Sequence, residues 1–420
     1  MAENYSIDNI QHLNTREAMR AKIPMYLGSD TTDGIYQALK EIINNSTDEA
    51  LVGYGKEVDV LLNEETNEVT VRDYGRGVPF GIKDGRNILV AIYTESHTGG
   101  KFDKGAYKNS SGLNGIGGTA VCMSSSKFTV KSERDGIAAI AYFEEGILKD
   151  YKEMPYESNI TGTTITFIPD KKVFINDNEG FSYERICDEI KNIAYLNKGI
   201  KFIVETTQGK KKEFYSENGI ADFIKDKVKN PLMNAPIIAS AKDETDELEI
   251  AFMWTGDPTQ EYVFVNGLYC PFGGSPVTGA KTKITTKIKA LSGKSFDPEL
   301  IRKGLVFAIN CKVANPSFAN QTKSKINNPN LRTLASEAFD KGLSEFANLP
   351  EYAALIESLE KFQKAEKAAD AIREKILNAA KEVSEMRTKK GMILSKVSDA
   401  KVLGENSRLL ICEGKSASGS

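Results

Sequence analysis

The sequence predicts an α+β protein of two successive units, the first with helices covering one face of a mixed sheet, followed by a long polar helix. Three observations carry this. Period-two apolar runs cluster between residues 57 and 169 with helical patterns before and between them, and strand patterns restart after about residue 210. From 331 to 390 the chain is an almost unbroken run of Ala, Glu, Lys and Leu, interrupted mainly by Pro350.

Taken in order, the first strong element is a helix through residues 35–51. At about 100° per residue, Ile35, Leu39, Ile42, Ile43 and Ala50 collect on one face, while Glu41, Asn45 and Asp48 line another. Residues 57–62 alternate Val58, Val60 and Leu62, and 68–73 alternate Val69 and Val71. The polar turn 63–67 between them makes a hairpin. Further strands are expected at 127–132, 137–143 and 162–169. The second unit should hold strands at 247–254 and 261–266, a helix near 281–291 and a strand at 304–313. A helix as long and polar as 331–390 cannot be buried all round, and a strut between domains or a plain surface helix both suit it. The expected domains are 1–210, 211–390 and a short segment 391–420.

Composition narrows the class. With 420 residues, 40% hydrophobic and 27% charged, the chain can build two or three ordinary cores. A net charge of −3 argues against wholesale coating of nucleic acid, though a local basic surface stays open. Five cysteines without CxxC spacing, beside only His12 and His97, argue against zinc and for reduced thiols in a cytoplasmic compartment. No apolar run has the length of a membrane span, and the N-terminus has no signal-peptide core.

Three elements carry chemistry. The 35–51 helix offers Glu41 and Asn45 one turn apart. Asp73, at a strand end with Gly75 and Gly77 after it, can accept a hydrogen bond from an exocyclic amine such as that of adenine, while the glycines allow close approach of a ligand. Gly112, Gly115, Gly117 and Gly118 precede a helical stretch at 119–124, so backbone N–H groups and a helix N-terminus could hold phosphates. The run is neither a Walker A motif nor a Rossmann fingerprint. Singly, each has an ordinary alternative, a solvated face or a simple turn. In this order they form a layout for a nucleoside triphosphate and a metal ion. Ser110, Ser111 and the polar 97–109 stretch suit a lid. Asn45 could ligate magnesium through its amide oxygen, and Glu41 could polarise a water aimed at the terminal phosphate. A cation for that phosphate is not evident near the loops; 320–325, with Lys323 and Lys325, is the candidate.

These residues resemble the GHKL (Bergerat-fold) ATPases, and more narrowly the ATPase subunit of type IIA DNA topoisomerases, the gyrase B and topoisomerase IV ParE group. The resemblance rests on Met25-Tyr26-Leu27-Gly28, Glu41 with Asn45, Asp48 to Leu51, Asp73 to Pro79, Gly99 to Phe102, Ser111 to Gly117, Thr161-Gly162-Thr163, Gln321-Thr322-Lys323 and Met386 to Gly391. Glu413-Gly414-Lys415-Ser416-Ala417 is similar to the opening of a TOPRIM domain. It implies a GHKL sandwich followed by a transducer domain like domain 2 of ribosomal protein S5.

By position, the resemblance makes Glu41 the general base and Gln321 and Lys323 the loop that touches the γ-phosphate. Asn45 would hold the magnesium of ATP. Asp73 would read adenine, with Thr163 supporting it through water. The nucleotide-binding set it implies is Tyr5, Asn45, Glu49, Asp73, Arg76, Gly77, Pro79, Lys101, Tyr107, Ser111, Gly112, Leu113, Asn114, Gly115, Ile116, Gly117 and Thr163. Arg76 should pair with Glu49, and Arg134 should lie at the pocket edge. Tyr5 would reach a partner's pocket in a homodimer closed by ATP.

Departures are Gln37 where many relatives carry His, Pro24 before Met25, Ser111 and Asn114 in the glycine run, and Lys415 in the TOPRIM opening. They suggest a phage-encoded or divergent member. The chain ends seven residues after Glu413, which would serve a DNA-cleavage magnesium site in a full enzyme, so a fragment is expected. The function implied is an ATP-operated gate that captures double-stranded DNA and works with a DNA-cleaving tyrosine subunit, in bacterial or infected-host cytoplasm. The alternatives are another GHKL clamp, of mismatch-repair or chaperone type, or a nucleotide-gated binding module with little turnover.

Overall fold

The structure is a computed structural model that describes residues 13–96, 98, 115–319 and 323–393. It begins with helices α1 (Thr15–Ala21), α2 (Pro24–Leu27) and α3 (Thr32–Leu51), then strands β1 (Glu57–Asn63) and β2 (Glu68–Asp73). The small β3 (Ile82–Lys83) and β4 (Arg86–Asn87) lead to α4 (Ile88–Thr94) and α5 (Gly117–Met123). Next come β5 (Ser125–Arg134), β6 (Ile137–Glu144), β7 (Ile147–Pro155), β8 (Gly162–Pro169), α6 (Tyr183–Leu196), β9 (Lys201–Thr206) and β10 (Lys211–Phe214).

The eight long strands of this half form one mixed sheet, ordered β10-β9-β1-β2-β8-β5-β6-β7. Its β1–β9 pair is parallel and the rest are antiparallel. The expected hairpin is there, with Val58 opposite Asp73. Strand alternation puts Val58, Val60, Leu62, Val69, Val71, Phe167, Phe202 and Val204 on the covered face, where α3, α5 and α6 bury them. Helix α3 starts where the Thr31 side chain accepts from the Asp33 amide. Ile35, Leu39, Ile42, Ile43 and Ala50 pack inward as expected. Asp48, expected beside Glu41 and Asn45 on the presenting face, is buried at 4% exposure instead. Position 48 lies only about 20° around the helix from position 41, so it is the same face that is open at Glu41 and covered at Asp48.

The second half holds α7 (Ile220–Lys227), β11 (Ile237–Lys242), β12 (Glu247–Trp254), β13 (Gln260–Val265), β14 (Leu268–Tyr269), α8 (Ser275–Ser292), α9 (Pro298–Arg302), β15 (Leu305–Lys312), α10 (Asn330–Phe346) and α11 (Pro350–Ile393). Its sheet is ordered β11-β12-β15-β13-β14, with β13 and β15 parallel. Helices α8 and α10 pack on each other, and α10 covers β11 and β12. The core there is aromatic: Phe252 stacks on Phe339 at 5.4 Å, Trp254 on Phe346 at 5.0 Å, and Phe307 meets Phe339 edge-on. The indole N–H of Trp254 donates to the Ile301 carbonyl at 3.0 Å, so its buried polar atom is satisfied.

The helix-forming run from 331, expected to be interrupted mainly at Pro350, is two helices that part there. Pro350 stands at the first position of α11, where a missing N–H costs nothing, so the break falls before it. Contacts are compact up to Leu355, and the chain from Ile356 forms a second unit. In that unit α11 is exposed along Phe362, Ile372, Ile376 and Leu377. No helix of the described residues is long and apolar enough to cross a membrane.

Candidate functional site

Glu41 stands half-buried midway along α3. Its Oε1 accepts from the Gln37 side-chain amide at 3.0 Å, one turn earlier. Its Oε2 faces the start of α5 so closely that a Cβ placed on Gly117 would sit 2.3 Å away. Glycine is therefore required there to let the loop backbone meet the carboxylate. Gly118 packs less tightly on the ring of buried Tyr93, where an added Cβ would be 3.2 Å from the ring. Asn45, also half-buried, follows Glu41 by one turn.

A second cluster forms around Asp73 at the end of β2. Asp73 is 7% exposed. Its Oδ1 accepts from the Gly75 amide at 3.0 Å and the Thr163 amide at 3.1 Å, and its Oδ2 from the Ser46 hydroxyl at 3.2 Å. Burial pushes this carboxyl up to about 6, against the lowering effect of those three donors. Gly162, on β8, passes so close that a Cβ would lie 2.1 Å from the Asp73 carbonyl oxygen. Gly77 adopts φ 76°, and Thr163 Oγ1 accepts from the Val78 amide at 3.2 Å. Thr163 thus contacts Asp73 directly through its backbone N–H.

Around this cluster, Arg76 donates twice to Glu49, Nε to Oε2 at 3.0 Å and Nη2 to Oε1 at 2.9 Å, and its guanidinium lies 4.3 Å from the centre of the Tyr54 ring. Arg134 reaches the Gly77 carbonyl at 3.4 Å. Ser132 and Thr161 brace the same turn through the carbonyls of Val78 and Gly75.

The structure therefore brings together Glu41 with Gly117, Asp73 with Thr163 and Gly77, and Glu49 with Arg76. Pro79 is exposed on the turn, and Gly115 and Ile116 enter α5. Lys323 belongs to the second half. It is exposed, its backbone is left-handed at φ 54°, and its carbonyl accepts from the Cys270 thiol at 3.3 Å. Tyr5, Lys101, Tyr107, Ser111, Gly112, Leu113, Asn114, Gln321 and Glu413 lie outside the described residues.

Two participants escaped sequence reasoning. Gln37 counted only as a departure, yet its i, i+4 spacing to Glu41 could have flagged the hydrogen bond. Ser46, on α3 and 27 residues from Asp73 along the chain, left no signal of its own.

Two family models match the chain. Residues 30–173 match the histidine kinase-, DNA gyrase B- and HSP90-like ATPase model, and residues 219–392 match the DNA gyrase B model. The DNA gyrase B protein of Halalkalibacterium halodurans is 33% identical over 435 residues, covering 99% of this chain and 67% of that relative. The chain belongs to the DNA gyrase B family. The Synechocystis gyrase B protein is also 33% identical, across 99% of the chain and 40% of the relative. Across these two relatives, the chain spans 40% to 67% of their length. The 43K ATPase domain of Thermus thermophilus gyrase B, solved with an aminocoumarin, superposes with a TM-score of 0.72 at 26% identity, over 86% of this chain and 97% of that one. The topoisomerase IV ATP-binding domain of Francisella tularensis, solved with a small-molecule inhibitor, gives 0.66 at 26% identity, over 82% and 96%. The GHKL-type sandwich with its second, gyrase B-type region is thus this family's ATPase architecture.

Proposed function

We propose that this chain binds and hydrolyses ATP and, on binding it, closes a homodimer that serves as the DNA-capturing gate of a type II topoisomerase. The observation that carries the reading is the Glu41 carboxylate set against the glycine start of α5, on the same helix whose next turns present Asn45 and, through Ser46, support Asp73. Family membership supports the same reading. Double-stranded DNA and a DNA-cleaving tyrosine subunit are the partners it assigns.

Each residue then has a physical task. Asp73 accepts a hydrogen bond from the exocyclic amine of adenine, an orientation held by the Gly75 and Thr163 amides. Backbone N–H groups at the start of α5 meet phosphate oxygens. Glu41 takes the proton of the attacking water, with Gln37 fixing one carboxylate oxygen so that the other faces the loop. Lys323, with Gln321, meets the terminal phosphate and balances its developing charge. The residues suit magnesium. The half-buried Asn45 offers an amide oxygen one turn from Glu41, a hard donor suited to an ion whose other positions phosphate and water would fill. When bound, the ion would neutralise phosphate charge.

The test is ATP turnover against protein concentration for the wild type and Glu41→Ala, with mass measured in a non-hydrolysable ATP analogue. Turnover rising more than linearly, lost in the variant, with a dimer in the analogue, is the expected result. A monomer with constant specific activity would overturn the gate, and absence of ATP binding would overturn the site.

A further inference from the structure

Segment 270–275, between β14 and α8, runs beside segment 323–328 and holds it by a ladder of hydrogen bonds. The Cys270 thiol donates to the Lys323 carbonyl at 3.3 Å, the Phe272 amide to the Ser324 carbonyl at 3.0 Å, and the Ile326 amide to the Gly273 carbonyl at 3.0 Å. The Ser275 amide then donates to the Ile326 carbonyl at 3.1 Å and its hydroxyl to the Asn328 carbonyl at 2.6 Å. The approach is so close at Gly274 that a Cβ would lie 1.9 Å from the Ile326 carbonyl oxygen. The first rung depends on a side chain of the strap, and it falls on the residue with the unusual backbone: Lys323 at φ 54°, a conformation a lysine holds only when its surroundings impose it.

The strap is itself well rooted. Asn266 exchanges side-chain hydrogen bonds with Val313 at 2.8 Å in both directions, and Cys270 is 1% exposed with its amide on the Val263 carbonyl. The strap thus anchors the loop of Lys323 to the sheet of the second half.

We propose that Cys270 is a positioning residue for Lys323: the thiol-to-carbonyl hydrogen bond fixes the left-handed peptide that aims the lysine. The inference rests on the reading of Lys323 as the residue that meets the terminal phosphate. A thiol is a weak donor, yet the residue whose peptide it orients bears the charged ammonium, so the effect falls on turnover more than on nucleotide affinity.

The test uses the whole chain. Cys270→Ala removes the donor, and Cys270→Ser replaces it with a hydroxyl in nearly the same volume. Steady-state ATP hydrolysis, with Lys323→Ala beside them, separates the role of the lysine from that of the thiol. Lys323→Ala turning over like the wild type overturns the reading of Lys323 and removes the proposal's premise. With Lys323→Ala inactive, Cys270→Ala should lose about fivefold in kcat with KM within twofold, and serine should restore most of it. Alanine equal to wild type, or serine as low as alanine, overturns the positioning role.

Discussion

Gly117→Ala isolates the placement of Glu41 from the stability of the fold. The new Cβ would lie 2.3 Å from Glu41 Oε2, 3.1 Å from its Cδ and 3.5 Å from its Cγ. Ordinary contact requires about 3.4 Å or more, so the carboxylate must retreat by roughly 1 Å, and the partner that yields is a side-chain tip rather than backbone. Gly117 opens α5 without a positive φ, and alanine is favoured over glycine in a helix by up to ~1 kcal/mol. Stability should therefore hold or rise slightly. The retreat pulls Oε1 away from the Gln37 amide and moves the proposed base off its line, and misplacement by about 1 Å is worth on the order of 100-fold in rate. The assay is steady-state ATP hydrolysis with calorimetric binding of a non-hydrolysable analogue and a thermal melt. The expected outcome is kcat down by about two orders of magnitude, analogue affinity within a few-fold and an unchanged melt. Full turnover in a folded Gly117→Ala protein would refute the claim that the α5 start sets Glu41.

Asp73 ties stability to pH. Its carboxyl sits at about 6 in the fold against 3.8 when free, so between those values the folded chain keeps a proton that the unfolded chain gives up. This group's contribution is present below pH 3.8 and is lost as pH rises through about 6. The gap, at about 1.36 kcal/mol per pH unit, approaches ~3 kcal/mol by pH 8. Asp73→Asn, whose amide oxygen can accept from the Gly75 and Thr163 amides while its NH2 donates to a rotated Ser46 hydroxyl, should make the nucleotide-free protein up to ~3 kcal/mol more stable at pH 8 in urea titrations, with little difference at pH 3.5, while abolishing adenine-nucleotide binding. Gly162→Ala sets a Cβ against the Asp73 carbonyl at φ 155°, a backbone clash expected to cost ~3 kcal/mol or more by urea unfolding. Arg76→Met loses the paired bonds to Glu49 and the Tyr54 contact, at about 1 kcal/mol because the arginine is 38% exposed; raised salt should shrink the difference.

The sequence made legible those parts of the fold whose periodicity is set by burial on one side. The hairpin β1–β2 and the core face of α3 are such cases, because Val58, Val60, Val69 and Ile42 answer to one buried face. Strand β7 escaped because it is an edge strand exposed almost throughout, and Lys149, Asp150 and Lys152 erase the alternation. Strand β10 escaped for the same reason, with Lys211, Lys212 and Glu213 exposed ahead of a single buried Phe214. At the site, carboxylates and glycines are readable because few residue types can replace them. The contacts of Ser46 and Cys270 are not, since each depends on a partner brought close only by the tertiary fold, 27 and 53 residues away.

The parallel pairing of β1 with β9 sets a clock on the chain's synthesis. Glu57 pairs with Lys201, so the edge of β1 has no native neighbour until 144 further residues have been made. At about 5–20 residues per second this takes roughly 7–30 s. Throughout that interval Val58, Val60 and Leu62, flush in the finished core, belong to a strand open on one side, and the hairpin that forms first is also the surface most exposed to wrong partners. A newly made chain is thus most vulnerable before β9 emerges, and slowing translation between residues 73 and 201 should raise aggregation more than slowing it after 214.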